Sequence, residues 1–92
     1  MEFEWDLRKE SENIRKHRVA FLEAVETFSY PDGFTVKDVI HSGNEARYYC
    51  IGKSGKGRIL TTRYTWRGNK IRIIGSAEWR EFRRLYYEKT EN

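Results

Sequence analysis

Halfway along the chain the spacing of apolar side chains changes period, and that change restricts the fold more than any other feature. In the first part, Phe21, Ala24, Val25 and Phe28 fall at i, i+3, i+4 and i+7, the stripe of a core-facing helix. From residue 46 the period becomes two. Arg47-Tyr48-Tyr49-Cys50-Ile51 reads as a strand, Ser54-Gly55-Lys56-Gly57 as a hairpin loop, and Ile59 to Arg67 as the next strand. Gly68-Asn69 is a two-residue turn of the kind that closes hairpins, and Lys70 to Ile74 returns. Phe3-Glu4-Trp5 alternates as a short edge strand, and Val36 to Ile40 adds one more. Asp6 is predicted to cap a helix running to about His17, and Ser76 a last helix whose Trp79, Phe82 and Tyr86 face inward. Pro31, in Ser29-Tyr30-Pro31-Asp32-Gly33, divides the helical front from the strand-rich middle. Two helices, an antiparallel meander and a final helix make an α+β fold, a single domain over residues 1–92.

At this length the core is thin, because a small domain buries a smaller share of its surface than a large one. Hydrophobic residues are 38% of the chain and charged ones 35%, yet aromatic rings make up 15%, and a few ordered rings compensate for a short apolar list. No apolar run is long enough to span a membrane, and Met1-Glu2-Phe3-Glu4-Trp5-Asp6 lacks the basic and apolar regions of a secretory signal. Cys50 is alone, so no internal disulfide is expected and a reducing cytoplasm is the natural setting. His17 and His41 are far apart and cannot build a metal cluster with one cysteine. No metal, cofactor or membrane partner is expected. A metabolic enzyme is also disfavoured, since neither a nucleotide-binding glycine loop nor a nucleophile motif is present.

Charge is distributed unevenly. Residues 1–45 hold six Lys/Arg against ten Asp/Glu, and residues 46–92 hold twelve against four. If Gly68-Asn69 is a two-residue loop, Arg67 faces Lys70, Thr65 faces Arg72, and Arg63 faces Ile74. If residues 54–57 form the other loop, Tyr48 faces Arg63 and Ile51 faces Leu60. Alternation then assigns Tyr49, Ile51, Leu60, Thr62, Tyr64, Trp66, Ile71 and Ile73 to the core. The opposite face carries Tyr48, Cys50, Arg63, Thr65, Arg67, Lys70 and Arg72, four cations with no strand acid among them. Like charges across a sheet repel, so such a face calls for an anion, and basic, aromatic surfaces suit phosphate and bases. Two other outcomes fit the same residues: arginine stems lying inert along a wet sheet, or neutralisation by Glu10, Glu12 or Glu23 from the front helices.

The chain resembles the BrnT family of type II toxins, partners of BrnA antitoxins. The resemblance runs from Phe3-Glu4-Trp5-Asp6 through Asn13-x-x-Lys16-His17-x-Val19-x-Phe21-x-Glu23-Ala24 and Glu45-x-Arg47-Tyr48. It continues in Ile51-Gly52-x-Ser54-x-x-Gly57-Arg58, in Tyr64-Thr65-x-Arg67-Gly68-x-x-Ile71-Arg72-Ile73-Ile74, and in the stretch from Trp79-Arg80 to Tyr86. It implies a RelE-like ribonuclease fold, metal-independent RNA cleavage that blocks translation, and neutralisation by a small ribbon-helix-helix antitoxin. The chemistry implied is attack of a ribose 2′-hydroxyl on the adjacent phosphorus. That step needs a cation on the phosphorane, which arginine supplies, together with a base and an acid.

Arg58, Arg72 and Glu45 match family motifs; taken with the cationic face, Arg63 and Arg72 are expected to hold the scissile phosphate, Arg58 and Arg67 flanking phosphates, and Glu45 is a candidate base, with Arg47 as its alternative salt-bridge partner. Tyr48, Lys53, Lys70, Arg80 and Arg83 complete the expected RNA-binding set, and Arg84 reads as a polar helix face. His17 and Trp79 are read as structural. One departure stands out: much of the family follows Ile-Ile with Ser-Ala-Arg, whereas Gly75-Ser76-Ala77 here lacks that arginine, and Arg80 lies a turn later. A non-catalytic RNA- or antitoxin-binding protein is the competing expectation, and a core this small is compatible with a homodimer.

Overall fold

Asp6 ends one element and begins the next. β1 (Glu2–Trp5) runs into it, and its carboxylate accepts from the amides of Arg8 (2.8 Å) and Lys9 (3.1 Å) to open α1 (Leu7–His17). α1 stops at Arg18, which adopts a left-handed conformation (φ 58°) and donates its amide to the Ile14 carbonyl. α2 (Phe21–Val25) continues into a 3₁₀ turn (Glu26–Phe28), so the expected stripe forms one packed face. Then follow β2 (Phe34–Asp38), β3 (Arg47–Lys53), β4 (Ile59–Arg67), β5 (Lys70–Ala77) and α3 (Arg80–Thr90). The structure, a computed structural model, describes residues 1–91.

The sheet order is β1-β5-β4-β3-β2. β2 to β5 form the expected antiparallel meander, but β1 joins the edge parallel to β5, with Glu2 to Trp5 opposite Lys70 to Ile73. The sheet is therefore mixed rather than purely antiparallel. Both faces are covered. Phe21, Ala24, Val25 and Phe28 pack on Cys50, Leu60, Tyr64, Ile71 and Ile73, while Phe82 and Tyr86 pack on the opposite side with Tyr49, Ile51 and Ile59. Gly52 is required where the 3₁₀ turn lies closest to the sheet, because a Cβ there would sit 2.7 Å from the Thr27 carbonyl oxygen.

Three local expectations change. The β3–β4 loop spans residues 54–58, with Ser54 N–H donating to the Arg58 carbonyl and Gly57 at φ 81°, so the register moves by one. Tyr48 pairs with Tyr64, and Tyr49 with Arg63. Because side chains alternate, that single step exchanges the faces of every β3 residue. On β5 a bulge at Ile74 places Arg63 opposite Gly75 rather than Ile74, while Arg67–Lys70 and Thr65–Arg72 pair as expected. Finally, Ser76 is not a helix cap. It lies within β5, and α3 begins after Trp79, which makes no side-chain cap bond.

Ser76 stays in the strand because Asn13 takes the place of a neighbour. β1 covers β5 only as far as Ile73. Beyond that, the buried Asn13 amide accepts from Ser76 N–H (3.0 Å) and donates to the carbonyls of Ser76 (2.8 Å) and Val19 (2.8 Å). This pins α1 against the bulged half of β5.

Candidate active site

The sheet face under α3 is apolar at one end and cationic at the other. Arg63, Arg67, Lys70 and Arg72 share it, as expected, but the acids missing from the local pattern arrive from elsewhere in the chain. The parallel pairing of β1 sets Glu2 beside Lys70 (3.7 Å) and Glu4 beside Arg72 (2.6 Å). Glu45 binds Arg67 (3.1 Å), not Arg47. The three helix acids considered as neutralisers lie apart: Glu10 accepts from Phe21 N–H, Glu12 pairs with Arg15, and Glu23 pairs with Arg58.

Arg58 is on the other side of the sheet. Its Nε donates to Glu23 Oε2 (2.9 Å), its Nη2 donates to the Arg18 carbonyl (2.9 Å) and to Glu23 Oε1, and its Nη1 lies 3.6 Å from Glu78. The Arg58 hydrogen bond holds the buried Glu23 carboxyl below the usual glutamate range against the opposing effect of burial. Arg58 also fixes the carbonyl of left-handed Arg18. Tyr48, displaced by the register step, stacks on Tyr64 with ring centroids 5.5 Å apart on the α2 side. Lys53, paired with Ile59, lies at the hairpin end of β3, roughly 26 Å along the sheet from Arg67. The structure thus separates Arg58, Tyr48 and Lys53 from the cations of the α3 face. Arg80 and Arg83 are exposed in the first turn of α3 and carry no ion pair among the described residues.

Arg63 differs from its neighbours. Its guanidinium carbon lies 5.8 Å from the ring centroids of both Tyr49 and Trp79. Its Nε is buried without a hydrogen-bond partner, and no carboxylate pairs with it among the described residues. The side chain faces a cleft of about 360 Å³ between α1 and the β5 bulge, whose walls include Arg8, Lys9, Lys16, His17 and Trp79. Glu12 is the one acid on this wall, and it is occupied by Arg15 (2.7 Å) and Lys16 (3.9 Å). His17 meets Trp79 edge-on at 6.5 Å. A partly desolvated guanidinium with no carboxylate partner among the described residues, within a cationic cleft, is suited to an anion such as a phosphodiester.

The α1 contribution was not foreseen from composition, since residues 1–45 are acidic overall. Its signal was the Asn13-x-x-Lys16-His17 spacing, which sets Asn13 toward the sheet and Lys16 and His17 at the mouth of the cleft. Tyr49 was missed because its register was off by one.

The family model described as "Ribonuclease toxin, BrnT, of type II toxin-antitoxin system" matches residues 5–81. The chain belongs to the BrnT family. Its members are ribonuclease toxins of type II toxin–antitoxin systems, so an RNA target and an antitoxin partner come with membership. Among solved structures the fold is similar to the crystal structure of the Brucella abortus ribonuclease toxin BrnT, with a TM-score of 0.67 at 20% identity, covering 86% of this chain and 96% of that one. No curated protein matches the sequence. This BrnT chain is an α+β domain with a mixed five-stranded sheet. Among the described residues no helix is long and apolar enough to cross a membrane, and no group of His, Cys, Asp and Glu is placed to hold a metal ion.

Proposed function

We propose that this BrnT chain is a metal-independent, RelE-like endoribonuclease whose reaction centre is the Arg63 cleft. The observation that carries this reading is the state of Arg63: set against the adjoining Tyr49 and Trp79 rings, partly desolvated, and free of any carboxylate among the described residues. A phosphodiester seated there gains a charge-assisted contact that strengthens as a phosphorane develops. Lys16, Lys9 and Arg8 accept the phosphates on one side, and Arg80 and Arg83 close the other. His17, at the mouth of the cleft, donates a proton to the leaving oxygen. Arg67, Lys70 and Arg72 extend the phosphate track beyond the centre, with Glu45 orienting Arg67 instead of serving as the base. Arg58 holds the fold.

The reading extends to the setting: action on RNA in the cytoplasm, arrest of translation, and a ribbon-helix-helix antitoxin that covers the cationic face, with a homodimer of the toxin as its free form. Purified protein incubated with RNA in excess EDTA should release fragments ending in a 2′,3′-cyclic phosphate, and Arg63→Ala should not. Intact RNA with the wild type overturns the proposal.

One observation favours a second reading, binding without cutting. Where much of the family follows Ile-Ile with Ser-Ala-Arg, this chain has Gly75-Ser76-Ala77 and so lacks that arginine, and the next residue, Glu78, pairs with Arg58. Salt-sensitive RNA binding with no new RNA ends would mark that outcome.

A further inference from the structure

On the far side of Arg63 from His17, β2 ends in a buried carboxylate paired with an exposed imidazole. Asp38 is only 4% exposed, and its two oxygens lie 3.1 and 2.9 Å from His41 Nδ1. The His41 amide donates to the same carboxylate (3.1 Å). Ser42 Oγ ties the turn down by donating to the Asp38 carbonyl and accepting from Arg47 N–H (2.9 Å). The imidazole is thus fixed by its own loop rather than by chance surface packing.

The chemistry of the pair decides the tautomer. An ionised carboxylate only accepts, so Nδ1 must carry a proton, and the neutral ring then holds its lone pair on Nε2. That ring is 53% exposed, with Nε2 turned from the carboxylate. Burial works to raise the Asp38 carboxyl, but bonds from the His41 amide, the Tyr49 hydroxyl and the His41 ring outweigh it and hold Asp38 below its usual value. Asp38 therefore stays ionised at neutral pH.

Tyr49 connects this pair to the centre. Its hydroxyl bonds to Asp38, and its ring lies under the Arg63 guanidinium. In the sheet, Asp38 is two strands across and two residues along from Arg63, a Cα separation of about 12 Å.

We propose that His41, oriented by Asp38, is the general base of RNA cleavage and acts opposite His17 across the Arg63-bound phosphate. His41 Nε2 takes the 2′-hydroxyl proton while O2′ bonds to phosphorus. The P–O5′ bond breaks, its electron pair leaves on O5′, and protonated His17 supplies the proton. The products are a 2′,3′-cyclic phosphate and a 5′-hydroxyl; His41 ends protonated, His17 neutral, and exchange with solvent resets both. Asp38 is a positioning residue. This assignment rests on the Arg63 reading.

The test uses the full chain with RNA in EDTA and, for affinity, 2′-O-methyl RNA, which cannot supply the attacking hydroxyl. His41→Ala should lower kcat by about a hundredfold or more with an unchanged Kd for the methylated RNA, and added imidazole should restore part of the rate. Asp38→Asn should lower kcat per folded molecule without raising KM, with the folded fraction fixed by circular dichroism and with an altered pH profile that loss of fold does not produce. If His41→Ala cleaves like the wild type while Arg63→Ala is inactive, the base assignment is overturned and the Arg63 centre stands. Wild-type protein that leaves RNA intact overturns both.

Discussion

Arg63 and Arg72 lie on the same sheet face, on neighbouring strands, and are the same residue type, yet their surroundings are opposite. Arg72 is held at 2.6 Å by Glu4, within a ladder that also joins Lys70 to Glu2 and Arg67 to Glu45. Arg63 has two aromatic rings and an open cleft. Counting cations on a face therefore does not locate an anion site. What locates it is the place where the chain withholds its own carboxylates, since a guanidinium already paired must first give up its partner to bind phosphate.

The strongest way to break this comparison is Arg63→Ala against Arg72→Ala in the EDTA cleavage assay. Loss of Arg63 is expected to reduce cleavage by about a thousandfold with the fold intact by circular dichroism, whereas loss of Arg72 should reduce it by less than about tenfold. Equal losses would erase the distinction.

A third arginine sharpens it. Arg58→Met removes the partner of a buried carboxylate and should cost about 3 kcal/mol in urea unfolding, while leaving activity per folded molecule unchanged. Its pH signature has a definite sign. Because the folded Glu23 carboxyl is depressed, its contribution to stability is full above the ordinary glutamate value of 4.5 and is lost as pH falls through the lower folded value. The thermal midpoint of the wild type should fall on that acid limb, and Arg58→Met should flatten it.

Asn13→Ala should cost about 2 kcal/mol by the same unfolding measurement, since the Ser76 amide and carbonyl lose their partner. The smallest effect expected is Glu4→Gln. It frees Arg72 at the surface, changes stability by less than about 1 kcal/mol, and tightens binding to 2′-O-methyl RNA about twofold with a steeper salt dependence.

What could be read from the sequence was local. The Asp6 cap, the Phe21–Phe28 stripe and the Gly68-Asn69 turn each depend on residues a few positions apart, so α1, α2 and the β4–β5 register up to Tyr64 followed directly. The departures came from long-range geometry or from a single miscounted residue. Glu2 and Glu4 reach Lys70 and Arg72 through a parallel pairing between the two ends of the chain, which no local pattern encodes. One extra loop residue exchanged Tyr48 for Tyr49, and with it the platform beneath Arg63. The bulge at Ile74 and the strand extension to Ala77 depend on a side chain from α1. The cationic face was therefore legible, and its centre was not.

That side chain has a consequence of its own. The outer rim of β5 past Ile73 would otherwise present unsatisfied amide and carbonyl groups to any extended peptide that came near. By bonding to both groups of Ser76, Asn13 acts as a stopper where a sixth strand could add. A variant lacking it should therefore reveal itself first as chains sticking together through that rim, with simple unfolding a later event.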